Sequence, residues 1–225
     1  MSSDLDGLRS EVAAAARRLA AEGLLIGTAG NISALDAHTG LIAITATGSV
    51  LADATAEQVS VVDREGSLVE GDLAPTSELD LHLAVIRTYD AGAVVHTHAP
   101  NATAISCVRD DLPVLHYQQL SLGGAIRVAP YATFGTAELA DNVVTALENR
   151  AGALMANHGA VTHASTLDKA VEQALLLEWC CRLFRHATAL GTPRELDEQQ
   201  QAAVIEAAIA RDYGSPRPGR MEGSS

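Results

Sequence analysis

A run of small apolar residues that ends in two histidines, AVVHTHAP at 93–100, constrains this 225-residue chain more than any other stretch. Ala, Val and Val in succession are the material of a buried strand. Side chains alternate along an extended chain, so His96 and His98 project to the same side. Two neighbouring imidazoles removed from water carry a free-energy penalty unless each finds a partner. Converging from one face, they can chelate a divalent metal, or each can bond to backbone as an ordinary strand-end histidine. The pair alone leaves both readings open.

His158 poses the same question in GALMANHGA, another apolar run that ends in a polar turn. Three histidines at strand ends fit the arrangement of catalytic zinc, in which three protein ligands leave a position open. A further ligand would be a carboxylate. Glu78 stands in the first turn of the helix predicted over PTSELDLHLAVIRTY, where the helix dipole also favours a carboxylate for purely structural reasons. His82 lies four residues on, shares that helix face and is a rival ligand. Spacing does not choose between them.

Composition sets what such a site can serve. The chain is 48% hydrophobic and only 3% aromatic, which describes an Ala/Val/Leu/Ile core of the α/β kind and excludes a disordered chain. A formal net charge of −13 argues against nucleic acid or an anionic membrane as partner, because phosphate contacts need clustered Lys and Arg. A small anionic substrate stays possible through backbone amides, a helix N-terminus or a metal. Cys107, Cys180 and Cys181 show no C-x-x-C spacing and read as reduced, buried cytosolic thiols. There is no signal-peptide pattern at MSSDLDGLRSEV and no long apolar run, so a soluble, cytoplasmic protein is expected. The single lysine, Lys169, falls on an amphipathic helix and reads as a surface residue, which disfavours Schiff-base chemistry.

The periodicity predicts a first helix over LDGLRSEVAAAARRLAAEG, with a glycine stop. Strands follow at about 31–35, 41–45 and 59–63, then the PTSE helix and the AVVHTH strand. A short helix from Pro100, a strand at AIRVAP, a capped helix in GTAELADNVVTALENR and a strand at GALMANHG come next. Helices at about 166–190 and 195–212 complete the order. The expected fold is a single α/β domain over 1–213, a central mixed, largely antiparallel sheet between helical layers. The Gly/Pro/Ser-rich 214–225 reads as a disordered tail.

GTAGN at 27–31, TATG at 45–48 and APTSE at 74–78 are small-residue loops, rich in backbone donors and hydroxyls, that can cradle a phosphate without a lysine. None matches a Walker or dinucleotide pattern. Taken in order, GTAGN, TATG, PTSE, VVHTHA, HY, PYATFGT and NHG resemble the class II aldolase/adducin family, from about residue 8 to the DYG at 212–214. The resemblance implies that His96, His98 and His158 bind zinc (Zn2+), one per subunit, with Glu78 as fourth ligand and His82 structural. It implies a phosphate pocket of Gly30, Asn31, Thr47, Gly48, Thr76 and Ser77; the family's usual Ser-Ser-Glu is Thr-Ser-Glu here, which keeps the hydroxyl. It implies catalytic roles for Glu78 as general base and for Tyr117 and Tyr213 toward the aldehyde half.

The chemistry so implied is reversible cleavage of a ketose 1-phosphate, such as L-fuculose 1-phosphate, into dihydroxyacetone phosphate and an aldehyde such as L-lactaldehyde. The metal stabilises the enediolate as the carbon–carbon bond breaks. A homotetramer with fourfold symmetry and interfacial active sites is also implied. The same scaffold hosts sugar-phosphate 4-epimerases, dehydratases, decarboxylases and adducin-like binding modules. The epimerases carry an acidic residue soon after the position of His116, and HYQQLSLGGAIRVAPY has none. The presence of all four candidate ligands counts against a binding module.

Overall fold

The computed structural model describes residues 2–211. In chain order the elements are α1 (Ser2–Ala21), β1 (Asn31–Leu35), β2 (Ile42–Thr45), β3 (Val59–Val62), β4 (Leu68–Glu70), α2 (Leu79–Tyr89), β5 (Ala93–Thr97), α3 (Pro100–Ser106), β6 (Asp111–Leu112), β7 (Ile126–Ala129), α4 (Ala137–Ala146), β8 (Gly152–Met155), β9 (Gly159–Ala164), α5 (Leu167–Leu190) and α6 (Glu198–Arg211). The strands form one sheet in the order β4-β3-β2-β1-β5-β9-β8-β7-β6. Every pairing is antiparallel except β7 with β8, so the sheet is mixed and largely antiparallel, as expected. No helix among the described residues is long and apolar enough to cross a membrane.

Two apolar cores flank the sheet. One takes Ile32, Ala34, Val95 and Leu154 from the strands and packs them against α1, α3 and α5. The other takes Ile44, Val94, Met155 and Val161 and packs them against α2 and α4. Strand β5 is buried at every position, which is why it opens with Ala93, Val94 and Val95 in succession and not with alternating apolar and polar residues. Alternation survives in β1. Ile32 and Ala34 enter the first core, and Asn31 and Ser33 point to the α2 side.

The helices begin where capping chemistry dictates. Thr136 and Thr166 accept hydrogen bonds from the backbone N–H groups of Leu139 and Lys169 and so start α4 and α5. Gly23 adopts φ +78° just past the end of α1, the left-handed conformation that a glycine stop supplies.

Three expectations are corrected. Cys180 and Cys181 are buried, but Cys107 follows directly on the end of the short helix α3 and is exposed. Helix α2 starts at Leu79, so Glu78 occupies the N-cap position ahead of the first turn, and its carboxylate makes no capping bond. Strand β9, with sequence GAVTHA, lies between the predicted GALMANHG strand and the long helix and pairs with the central β5. Its short span directly after a polar turn hid it, because six residues give alternation little room to declare itself.

Candidate metal centre and adjoining cleft

The site forms where β1, β5 and the β8–β9 hairpin end beside the start of α2. Asn31 pairs in register with His96, so both side chains leave the sheet on the same face. His98 follows the end of β5. His158 sits at the tip of the β8–β9 hairpin, where Met155 and Gly159 close a three-residue loop. Asn157 takes φ +55° in that loop, a left-handed position that Asn tolerates better than most residues. Gly159 is required at the close approach to β5: a Cβ there would stand 2.2 Å from the carbonyl oxygen of Thr97. Helix α3 begins immediately after His98 and Ala99, and the Glu178 carboxylate on α5 accepts from the backbone N–H groups of Asn101 and Ala102 at 3.0 and 2.8 Å. That anchor steadies the segment that carries His98.

Glu78, His96, His98 and His158 each bring one ligand atom into a group whose members all lie within 4.8 Å of one another. The three imidazole rings meet with centroids 4.7–4.9 Å apart. His96 Nε2 stands 2.9 Å from His98 Nε2 and 3.2 Å from Glu78 Oε2, and His158 Nε2 is 3.5 Å from Glu78 Oε1. His96 Nδ1 is 3.0 Å from the carbonyl oxygen of Ala160, which can only accept. A neutral His96 therefore carries its proton on Nδ1 and turns a lone pair at Nε2 toward the group.

Electrostatics favour a cation at this point. Burial pushes the Glu78 carboxyl up, but the His96 contact, the Asn31 amide and His158 outweigh it and hold the group well below the usual carboxylate range. Burial, followed by the neighbouring histidines, lowers His98 to about 4, against the opposing pull of Glu78. His158 is lowered for the same reasons. The pull of His96 and His158 on Glu78 is that of positive charge, which a cation held between the carboxylate and neutral imidazoles would supply in its place. Glu78 Oε1 is buried and has no hydrogen-bond partner. Left unpaired, such an atom costs about 1–3 kcal/mol or more, which a coordinated cation would offset. The nitrogen-and-carboxylate donor set suits zinc.

The contest between Glu78 and His82 is decided by position. His82 is completely buried, and its two nitrogens are taken: Nδ1 lies 2.7 Å from Ser33 Oγ and Nε2 lies 2.6 Å from Asn31 Oδ1. It stands behind Asn31, whose Nδ2 donates to Glu78 Oε2 at 2.9 Å. Burial, with a smaller contribution from His96, depresses His82 to about 3.

The group opens onto a cleft of about 540 Å³. All six positions of the anticipated phosphate pocket line it: Gly30, Asn31, Thr47, Gly48, Thr76 and Ser77. Two of the loops are stitched together, Thr47 N to Ala74 O at 3.0 Å and Thr76 N to Thr45 O at 3.1 Å. Gly30 sits at φ +97°, where a Cβ would be 2.9 Å from the His96 carbonyl, so glycine lets the GTAGN loop press against β5. Tyr131, Phe134 and Asn157 also line the cleft, and sequence reasoning assigned them no part, although PYATFGT had stood out as a motif.

Tyr117 is not brought to this cleft within the chain. It opens the 3-10 helix Tyr117–Leu122 and lines a separate groove between α5 and α6, with Gln173, Leu176 and Ile205. Tyr213 and the 214–225 tail lie outside the described residues. Lys169 is exposed and sits 3.3 Å from Glu172, so it is the surface residue its helix suggested.

Comparison with known proteins agrees with this architecture. Residues 10–184 match the family model described as class II aldolase and adducin N-terminal domain. The chain is 35% identical over 193 residues to 5-deoxy-D-ribulose 1-phosphate aldolase of Bacillus thuringiensis, covering 85% of this chain and 91% of that one. It is 37% identical over 185 residues to L-fuculose phosphate aldolase of Escherichia coli, covering 81% and 85%. A solved L-fuculose 1-phosphate aldolase superposes with a TM-score of 0.86 at 34% identity, over 90% of this chain and 96% of that one. By the family match, the identities and the superposed fold, the chain belongs to the class II aldolase and adducin family and, like its aldolase relatives, is an enzyme of the lyase class.

Proposed function

We propose that the protein is a zinc-dependent aldolase that cleaves a deoxyketose 1-phosphate reversibly into dihydroxyacetone phosphate and a small aldehyde. The observation that carries this reading is the pairing of one buried carboxylate and three histidines with a cleft walled by lysine-free, hydroxyl- and amide-rich loops. In this reading Glu78, His96, His98 and His158 hold the ion. When bound, zinc supplies Lewis-acid polarisation of the substrate's carbonyl end. Gly30, Asn31, Thr47, Gly48, Thr76 and Ser77 bind the phosphate through N–H and O–H donors. Glu78, ionised and buried, accepts and returns the proton that moves as the carbon–carbon bond breaks or forms.

Tyr117 and Tyr213 serve the aldehyde half. The groove position of Tyr117 supports a homotetramer in which that tyrosine serves a neighbouring subunit's cleft. The related aldolases act on 5-deoxyribulose and fuculose phosphates, and both sugars end in a methyl group distal to the phosphate. A methyl-terminated substrate, releasing acetaldehyde or lactaldehyde, is therefore the first candidate.

The test is release of dihydroxyacetone phosphate from 5-deoxyribulose 1-phosphate and from L-fuculose 1-phosphate. It is run on purified protein as isolated, after chelation and after zinc is restored. Release that disappears and returns with zinc is expected. A zinc-loaded protein that cleaves neither sugar would overturn the reaction.

A further inference from the structure

We propose that His82, backed by Ser33, is a positioning residue that fixes the Asn31 amide and, through it, the carboxylate of Glu78. The inference rests on the metal-centre reading above for its consequence, and on hydrogen-bond geometry alone for its direction. The four side chains form one buried file: Ser33 Oγ to His82 Nδ1 at 2.7 Å, His82 Nε2 to Asn31 Oδ1 at 2.6 Å, and Asn31 Nδ2 to Glu78 Oε2 at 2.9 Å. Ser33 and His82 are wholly buried, and Asn31 and Glu78 are 5% exposed, so water does not substitute for a missing partner.

The direction of the file follows from how the Asn31 amide is set between its two neighbours. Asn31 Nδ2 stands 2.9 Å from Glu78 Oε2 and Asn31 Oδ1 stands 2.6 Å from His82 Nε2, so the NH2 end faces the Glu78 carboxyl group and the carbonyl end faces His82. His82 must then donate from Nε2, which leaves Nδ1 as a lone pair that accepts from the Ser33 hydroxyl. Turning the amide over would set Asn31 Oδ1 against the Glu78 carboxylate, acceptor against acceptor. It would also show the cleft a carbonyl in place of the second N–H that Asn31 can offer an anion. The Nε2–H of His82 holds the productive orientation, as a hydrogen bond behind a metal ligand commonly does.

Periodicity builds the arrangement. Asn31 and Ser33 are two apart on β1, and Glu78 and His82 are four apart at the start of α2, so one strand face and one helix face interleave. A polar pair fully sealed between sheet and helix would be an expensive way merely to fill a core, where apolar side chains of similar volume serve as well.

The experiment uses the full-length protein. Nitrogen-15 NMR of the imidazoles in the metal-free wild type reads the His82 tautomer: a proton on Nε2 and none on Nδ1 is expected, and the reverse overturns the file. Zinc affinity by chelator competition is then compared for wild type, His82→Asn and His82→Gln. A glutamine amide nitrogen reaches about where Nε2 lies, and an asparagine amide nitrogen about where Nδ1 lies. His82→Asn is expected to weaken zinc binding about 10- to 100-fold, and His82→Gln to recover most of that loss. Equal affinities in both variants, with wild type binding zinc, would overturn the proposal. A wild type that takes up no zinc would sink the metal-centre reading, and the tautomer then decides the file by itself.

Discussion

The cleft and the groove between α5 and α6 differ in how completely one chain builds them. Around the cleft, Asn31, Glu78, His82 and His96 are buried, and strands, helix start and hairpin tip meet there in fixed register. Along the groove, α6 buries none of its residues, Ile209 is 78% exposed and Tyr117 is 40% exposed. The Glu78, His96, His98 and His158 group is complete within one chain because its members come from elements already locked by the sheet. The groove is an open apolar surface, and the chemistry assigned to Tyr117 depends on what it meets there. Metal binding and turnover should therefore separate experimentally.

The largest effect is expected at the group itself. His96→Ala removes the central member of the proposed ligand group and the Nε2 lone pair aimed by Ala160, so zinc content by elemental analysis and metal-dependent cleavage are both expected to be lost. Retained metal and activity would break the contrast at its strong end. Tyr117→Phe comes next: turnover falls about 100-fold, as for loss of a proton donor, with zinc content unchanged. If zinc content falls too, the groove and the cleft are not separable.

Replacing Thr76 by Val removes a hydroxyl from the cleft wall proposed to hold the phosphate. It should raise KM for the phosphorylated ketose about tenfold and leave the poor reaction of the unphosphorylated sugar as it was. An equal change for both sugars would move the phosphate elsewhere.

The smallest effect concerns acid stability of the metal-free protein. His82 and His98 have folded values of about 3 and 4, below the ordinary 6.5 of the unfolded chain. Between those limits the unfolded state binds more protons, so their stabilisation is complete above pH 6.5 and is lost as pH falls toward 3 to 4. Tm measured from pH 7 down to 5 should drop by several degrees. The slope should be shallower in His82→Gln, where one of the two groups no longer titrates.

Much of the site was legible from the order of residues. His96 and His98 announce themselves because a buried apolar strand has no use for two polar residues on one side. His158 repeats the signal at a second strand end. The loops GTAGN, TATG and PTSE read as anion-binding material because they combine small residues with donors. The choice of Glu78 over His82 was not legible, since both sit at the start of one helix within reach of the same strand. Strand β9 was also missed, although it is the neighbour of β5 that supplies the Ala160 carbonyl to His96. The alternation of Asn31 and Ser33 was a usable sign of the hydrogen-bonded file, of the same kind as the H-x-H pair.

The α/β class, the order of most elements, the three histidines and the case against a lysine-based mechanism were all readable from the order of residues. These are local properties: periodicity, capping and the chemistry of a residue type act within a few positions of the chain. That Glu78 enters the group with His82 behind it, and that Tyr117 lines a groove away from the cleft of its own chain, emerged with the folded arrangement. Those outcomes depend on the strand register and on how helix α2 lies across the sheet, and they are set by contacts between residues about fifty positions apart.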